Sequence, residues 1–298
     1  MVSAAAQAFM ADLRANVRPP RPLEIERADW EADAAAVSLP PDTTVEPCTI
    51  GGIAGEWVAC GAVAPRRLLL LLHGGGYRAG SLVTHRGFAA RLSRLTGLRV
   101  LVIDYRLAPE HPYPAALEDA IAAFVALPEA GFAAEKTILV GDSAGGGLAI
   151  ALMLALRDSG RSLPRGAVLM SPWTDLECSG PSYWTNIARD PFMSRDNLLS
   201  AADDYRGGLP AGDPRLSPIH ADLTGLPPML VQAGGGEIML DDSAVFAERA
   251  RAAGSDLTFD VTEGVWHVHQ TAPDDIPEVA AALGRVAEFV ARLGADAA

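Results

Sequence analysis

From residue 66 onward, short runs of Leu, Val and Ile alternate with longer amphipathic stretches, and this alternation restricts the fold more than any other feature of the chain. RLLLLL, RVLVIDY, TILVG, GAVLMS, PMLVQAG and LTFDVTE read as strands. They are apolar throughout rather than at every second position, which suits strands covered on both faces. The stretches between them read as helices near 84–96, 114–127, 144–158, 241–253 and 276–293. Strands and helices in turn make a mostly parallel sheet wrapped by helices, an α/β fold. Segments around 45–50 and 53–60, split by Gly51-Gly52, read as an antiparallel hairpin at the sheet edge and bring the strands to eight.

Two regions stand outside this pattern. Near the N-terminus Phe9, Leu13 and Val17 recur at helical spacing until PPRP stops the helix, so this piece is expected to lie on the core as an amphipathic lid. The stretch 175–220 carries Trp184, Phe192, Met193 and Tyr205 among polar residues and has no strand of its own. An insertion of that length between core strands is more often functional than idle. The expected division is an N-terminal cap segment at 1–40, a core at 41–174 and 221–298, and a cap insertion at 175–220.

Charge and cysteine content narrow the partners. A formal charge of −13, with no cluster of Lys and Arg, argues against nucleic acid, anionic membranes and anionic substrates, and favours a neutral or apolar ligand. No segment approaches the roughly 20 apolar residues of a membrane span, and Asp12 and Arg14 interrupt any leader-like start. Cys48, Cys60 and Cys178 are odd in number and lack metal-ligand spacing, which reads as free thiols of a cytoplasmic protein.

The sequence GDSAG, residues 141–145, follows a strand and opens a helix. That is the setting in which G-x-S-x-G holds a serine on a sharp turn with its hydroxyl exposed, Gly141 and Gly145 removing side chains that would clash. Alone the motif recurs by chance. Upstream, however, HGGG (73–76) directly follows the LLLLL strand, where acyl transfer needs backbone donors for an oxyanion, each worth roughly 3 to 4 kcal/mol. The expected donors are the N–H groups of Gly75, Gly76 and Ala144, with Gly74 shaping the turn. No G-K-[ST] follows, so HGGG is not a phosphate loop.

These motifs resemble those of the hormone-sensitive lipase-like family of α/β-hydrolases, the bacterial carboxylesterases bearing HGGG and GDSAG. The resemblance continues through DYRLAPEHPYPAALED (104–119), DPRLSPIHADLTGLPPMLVQAG (213–234) and HVHQ (267–270). It implies an α/β-hydrolase core of eight strands with a helical cap, Ser143 as nucleophile, and hydrolysis of short- to medium-chain neutral esters. Dimers recur in the family, so a homodimer is the assembly the resemblance admits.

A serine needs a base, and imidazole titrates near neutrality. His73, His85, His111 and His220 read as structural, and the chain order Ser, acid, His leaves His267 and His269. The resemblance places His267 in the catalytic slot. For the acid, many relatives carry Asp two residues after the first glycine of 234–236, but here that position is Gly236 and Glu237 follows. The extra methylene of Glu237 can offset the displacement; Asp241 and Asp242, at a helix start, are the alternatives. Asp142 reads as a brace, and Asp104, Arg106, Glu110 and Asp119 as paired framework beneath the site.

The expected chemistry is ester hydrolysis through an acyl-enzyme, without metal or cofactor. Tyr77, Trp184, Phe192 and Trp30 are the candidate pocket residues. Lactone or amide hydrolysis would use the same groups. A non-catalytic ligand-binding role is the minor alternative, since a plant hormone receptor of this family has lost its catalytic histidine, which this chain keeps.

Overall fold

The computed structural model describes residues 2–19 and 21–295. Met1, Pro20 of the PPRP stop and residues 296–298, all within the division expected above, lie outside the described residues. Two helices open the chain: α1 (Ala4–Ala15), whose first turn is capped by the Ser3 hydroxyl, and α2 (Leu23–Ala35). The sequence pattern foretells a single element here. Helix α2 buries none of its residues fully, so it carries no apolar stripe to read, and Val17 lies past the end of α1, 54% exposed.

The strands β1 (Thr43–Ile50) and β2 (Ile53–Cys60) form the hairpin, with Gly51 and Gly52 at φ of 60° and 83°. Two consecutive positive φ values match the twist of a two-residue hairpin turn. There follow β3 (Leu68–Leu72), α3 (Leu82–Thr96), β4 (Arg99–Ile103), α4 (Ala115–Ala126), β5 (Thr137–Asp142), α5 (Ala144–Asp158) and β6 (Gly166–Met170). The stretch 175–220 contributes α6 (Ser182–Thr185) and α7 (Arg195–Tyr205). The chain ends with β7 (Met229–Gly234), α8 (Leu240–Ala252), β8 (Leu257–Thr262) and α9 (Pro277–Ala295). The sheet order is β1-β2-β4-β3-β5-β6-β7-β8, antiparallel at β1/β2 and β2/β4 and parallel elsewhere.

Strand β3 shows why the runs lack alternation. Leu68, Leu70 and Leu72 join a core with Phe124 of α4 and Leu148 and Leu152 of α5. Leu69 and Leu71 face the other way, into Phe88 and Leu92 of α3 and Val286 and Phe289 of α9. All five leucines are fully buried, each contributing roughly 1.5–3 kcal/mol relative to exposure.

Because the central strands are parallel, their carboxyl ends share one edge, and the loops leaving β3, β5, β6, β7 and β8 converge there. Helices α1 and α2 and residues 175–220 contact the core around this edge. Ser3 anchors α1 to Glu278 of α9 through its N–H (2.6 Å) and hydroxyl (2.7 Å). Arg27 of α2 donates to the carbonyls of Arg78 (2.6 Å) and Ala108 (2.8 Å) and pairs with Glu110 (2.8 Å). From the insertion, Tyr205 of α7 stacks on Tyr77 at 3.7 Å.

The expected framework of charges holds only in part. Arg106 does pair with buried Asp119 at 2.8 Å. Glu110 instead reaches outward to α2, and Asp104 is exposed with no ion-pair partner among the described residues. Among the described residues no helix is long and apolar enough to cross a membrane.

Candidate active site

Strand β5 delivers Ser143 onto a turn with φ 52° and ψ −121°, a strained conformation for a non-glycine residue. The turn is held by neighbours that no side chain could replace. Ser143 N–H donates to Met170 O (2.8 Å), and Trp173 N–H donates to Ser143 O (2.9 Å). A Cβ on Gly145 would lie 2.0 Å from Leu72 O, so only glycine lets α5 start this close to β3.

The loop after β8 brings His267 to this serine, Nε2 lying 2.9 Å from Ser143 Oγ. On the far side of the ring, His267 Nδ1 lies 3.4 Å from Glu237 Oε2, an ion-pair contact that is long for a hydrogen bond. Glu237 is fully buried, and among the described residues no other residue's carboxylate lies within 4.0 Å of a His267 ring nitrogen. Burial disfavours the imidazolium, but the Glu237 carboxylate, with Asp190 and Asp142 adding to it, outweighs that and raises His267 above its ordinary value. The two aspartates considered from sequence point elsewhere. Asp241 accepts from Ser182 N–H (2.6 Å), while Asp242 accepts from the N–H groups of Thr174 (3.0 Å) and Asp175 (2.9 Å).

The glycine loop after β3 lies opposite. Gly74 N–H is taken by Asp142 Oδ1 at 3.0 Å, whereas the N–H groups of Gly75, Gly76 and Ala144 have no protein partner among the described residues. Ala144 opens α5, where the helix dipole favours negative charge. Asp142 thus ties the glycine loop to the serine turn, and it also faces His85 Nε2 at 3.3 Å. Burial alone would raise the Asp142 carboxyl, but His85 and the Gly74 N–H hold it below its usual range. His73 packs flat on Tyr105 at 4.1 Å, and burial beside His85 lowers it to about 3. Both histidines therefore serve as structure. The arrangement has the parts needed for acyl transfer: a hydroxyl beside a base, a buried carboxylate behind the base, and N–H donors without a protein partner, two of them on glycines that line the same cavity as the hydroxyl.

Residues 69–271 match a family described as having the α/β-hydrolase fold. An acetyl-hydrolase of Streptomyces hygroscopicus is 40% identical over 87% of this chain and 85% of its own length. An esterase of Acinetobacter venetianus is 38% identical over 86% of this chain and 84% of its own. Among solved structures, an esterase from the bacterial hormone-sensitive lipase family superposes with a TM-score of 0.94, at 38% identity, over 98% of this chain and 99% of that one. The chain belongs to the hormone-sensitive lipase-like α/β-hydrolases.

In this α/β-hydrolase the serine opens onto a cavity of about 950 Å³. Phe9 and Leu13 of α1, Trp30 of α2, and Phe192, Met193 and Leu198 of the insertion give it a largely apolar wall around Ser143 and His267. Of the four pocket residues expected from sequence, Trp30 and Phe192 line it. Tyr77 does not, because it is buried between Tyr205 and Trp173 as part of the joint between the glycine loop and α7. Trp184 does not either; it is 53% exposed to solvent, under the Arg195 guanidinium at 4.8 Å.

Several residues of this family member escaped the sequence reading. Asp190 accepts from Ile238 N–H (3.0 Å) and Asn186 Nδ2 donates to Glu237 O (2.9 Å), so the insertion grips the acid loop. Arg91 of α3 donates to the carbonyls of Thr271 (2.8 Å) and Ala272 (2.7 Å), pinning the loop that carries His267. No local motif marks these contacts. Asp175, Glu177 and His220 bring ligand atoms within 4.8 Å of one another, a grouping the cysteine and histidine spacing does not foretell. Asp175 there accepts from the Glu177 and Ser179 N–H groups and acts as a loop brace.

Proposed function

We propose that the protein is a serine carboxylesterase that hydrolyses neutral esters of short to medium acyl chain through an acyl-enzyme on Ser143. His267 Nε2 takes the Ser143 proton as Oγ attacks the ester carbonyl, and the oxyanion accepts from Gly75, Gly76 and Ala144 N–H. His267 then passes that proton to the leaving alcohol. Water, deprotonated by the same imidazole, attacks the acyl carbonyl and frees Ser143. Glu237 holds the ring in orientation and stabilises its cation during both halves.

The observation that carries this reading is the 2.9 Å approach of His267 Nε2 to a serine on a strained elbow, with a buried carboxylate behind the ring. The kinship to named esterases and an acetyl-hydrolase supports the reaction class. The apolar wall and the charge of −13 support a neutral substrate. In this proposal residues 1–40 and 175–220 are the cap that shapes the cavity over a core of 41–174 and 221–298. The unpaired Cys48, Cys60 and Cys178 fit a reducing, cytoplasmic setting, and the open edge at β8 fits a homodimer.

Replacement of Ser143 by alanine is expected to abolish hydrolysis of p-nitrophenyl butyrate while leaving circular dichroism and thermal midpoint unchanged. Turnover near that of the parent protein would remove Ser143 from the mechanism.

A further inference from the structure

The residue after β6, Ser171, is fully buried and sits at φ 48°, a backbone region that glycine occupies more easily. Its side chain explains why a non-glycine residue stands there. The Ser171 hydroxyl donates to Glu237 Oε2 at 2.7 Å and accepts from the Val268 N–H at 3.1 Å. A carboxylate only accepts and an amide N–H only donates, so both roles of the hydroxyl are fixed by its partners. Its own N–H is held by Gln232 O at 2.6 Å. One hydroxyl thus joins the loops after β6, β7 and β8 at the point where acid and base meet.

Glu237 has few other holds. Its Oε1 has no hydrogen-bond partner among the described residues, and the remaining donor to Oε2 is Gly234 N–H at 3.3 Å. A buried carboxylate needs donors to keep its charge, and glutamate has one more rotatable bond to fix than aspartate. We propose that Ser171 is a positioning residue that acts through Glu237, its hydroxyl fixing Oε2 against His267 Nδ1. This rests on the triad reading above. The other charged groups around the pair are already committed or turned away. Asp190 is bound to Ile238 N–H, Asp142 to Gly74 N–H and His85, and Asp241 and Asp242 to the backbone of Ser182, Thr174 and Asp175, while Glu263 beside Gly235 is exposed.

The test is steady-state hydrolysis of p-nitrophenyl butyrate by full-length Ser171→Ala, Ser171→Gly, Glu237→Ala and the double variant Ser171→Ala/Glu237→Ala. Glycine suits the backbone at 171, so the second variant removes the hydroxyl without added strain. Both Ser171 variants are expected to lose kcat by about 10- to 100-fold with KM little changed, the scale of a misplaced catalytic group. The acid limb of kcat/KM should move to lower pH, because His267 loses part of the Glu237 influence that raises it. The double variant should be scarcely slower than Glu237→Ala. Unchanged kcat in Ser171→Gly, or a double variant slower by the full product of the single effects, overturns the inference. A crippled Glu237→Ala beside fully active Ser171 variants overturns it alone, whereas a fully active Glu237→Ala overturns the triad reading as well.

Discussion

At position 236 a Cβ would stand 2.9 Å from Val265 O, and Gly236 N–H donates to that same carbonyl at 2.8 Å. The acid loop lies so close to the loop bearing His267 that a side chain there would force them apart. The carboxylate is carried one residue later, on a side chain one methylene longer. Glu237→Gln keeps the shape and removes the charge, and kcat is expected to fall by on the order of 10⁴, as for the equivalent change in serine hydrolases of this chemistry. Asp242→Ala should do the opposite. It leaves the buried N–H groups of Thr174 and Asp175 unpaired, at about 1–3 kcal/mol each, lowering the unfolding midpoint while sparing kcat. A larger loss of turnover in Asp242→Ala than in Glu237→Gln would transfer the acid role away from Glu237.

At the scale of elements, what the sequence discloses follows from where each element's partners lie. Strands buried on both faces and helices with one buried stripe announce themselves, and α5 spans Ala144–Asp158 as its pattern requires. GDSAG and HGGG are legible because the strand-to-turn geometry they need is local. Helix α2 is not, since its function is to roof the cavity with Trp30 and to reach the glycine loop with Arg27, and neither task needs an apolar repeat. Ser171 is equally silent. Its partners are 66 and 97 residues away, so the one available signal is its place at the carboxyl end of a parallel strand, where α/β folds put their chemistry. Trp184 and Tyr77 show the converse limit: aromatic residues in a functional insertion or beside a functional loop, one turned outward and one spent on packing.

For the whole molecule, buried histidines tie folding to pH. Burial lowers His73 to about 3 and His269 to about 4, so both stay neutral in the folded protein. In the unfolded chain they take up protons near 6.5, which makes the unfolded state the greater proton binder as pH falls below that value. Asp242, raised well above its usual range by burial and by Asp175, works in the opposite sense against one of them. The raised His267 adds stability as pH falls toward 6.5 and nothing further below it. Net stability should therefore drop between pH 6.5 and 5, the two imidazoles outweighing the carboxyls of Asp242, Asp190 and Asp104, which burial raises and which act in the opposite sense. Urea unfolding across that range measures it, and a flat or rising stability would contradict the assignment of neutral buried imidazoles.

The same whole-molecule assembly must make Ser143 unusually nucleophilic, because the elbow, the imidazole, the buried acid and the open N–H donors come from four different loops, those after β5, β8, β7 and β3. Mass spectrometric mapping after exposure to a fluorophosphonate reads that property directly. One adduct per chain is expected, on the peptide bearing Ser143, and none when His267 is replaced by alanine. An unlabelled protein, or an adduct on another residue, would contradict an acyl-enzyme mechanism at this serine.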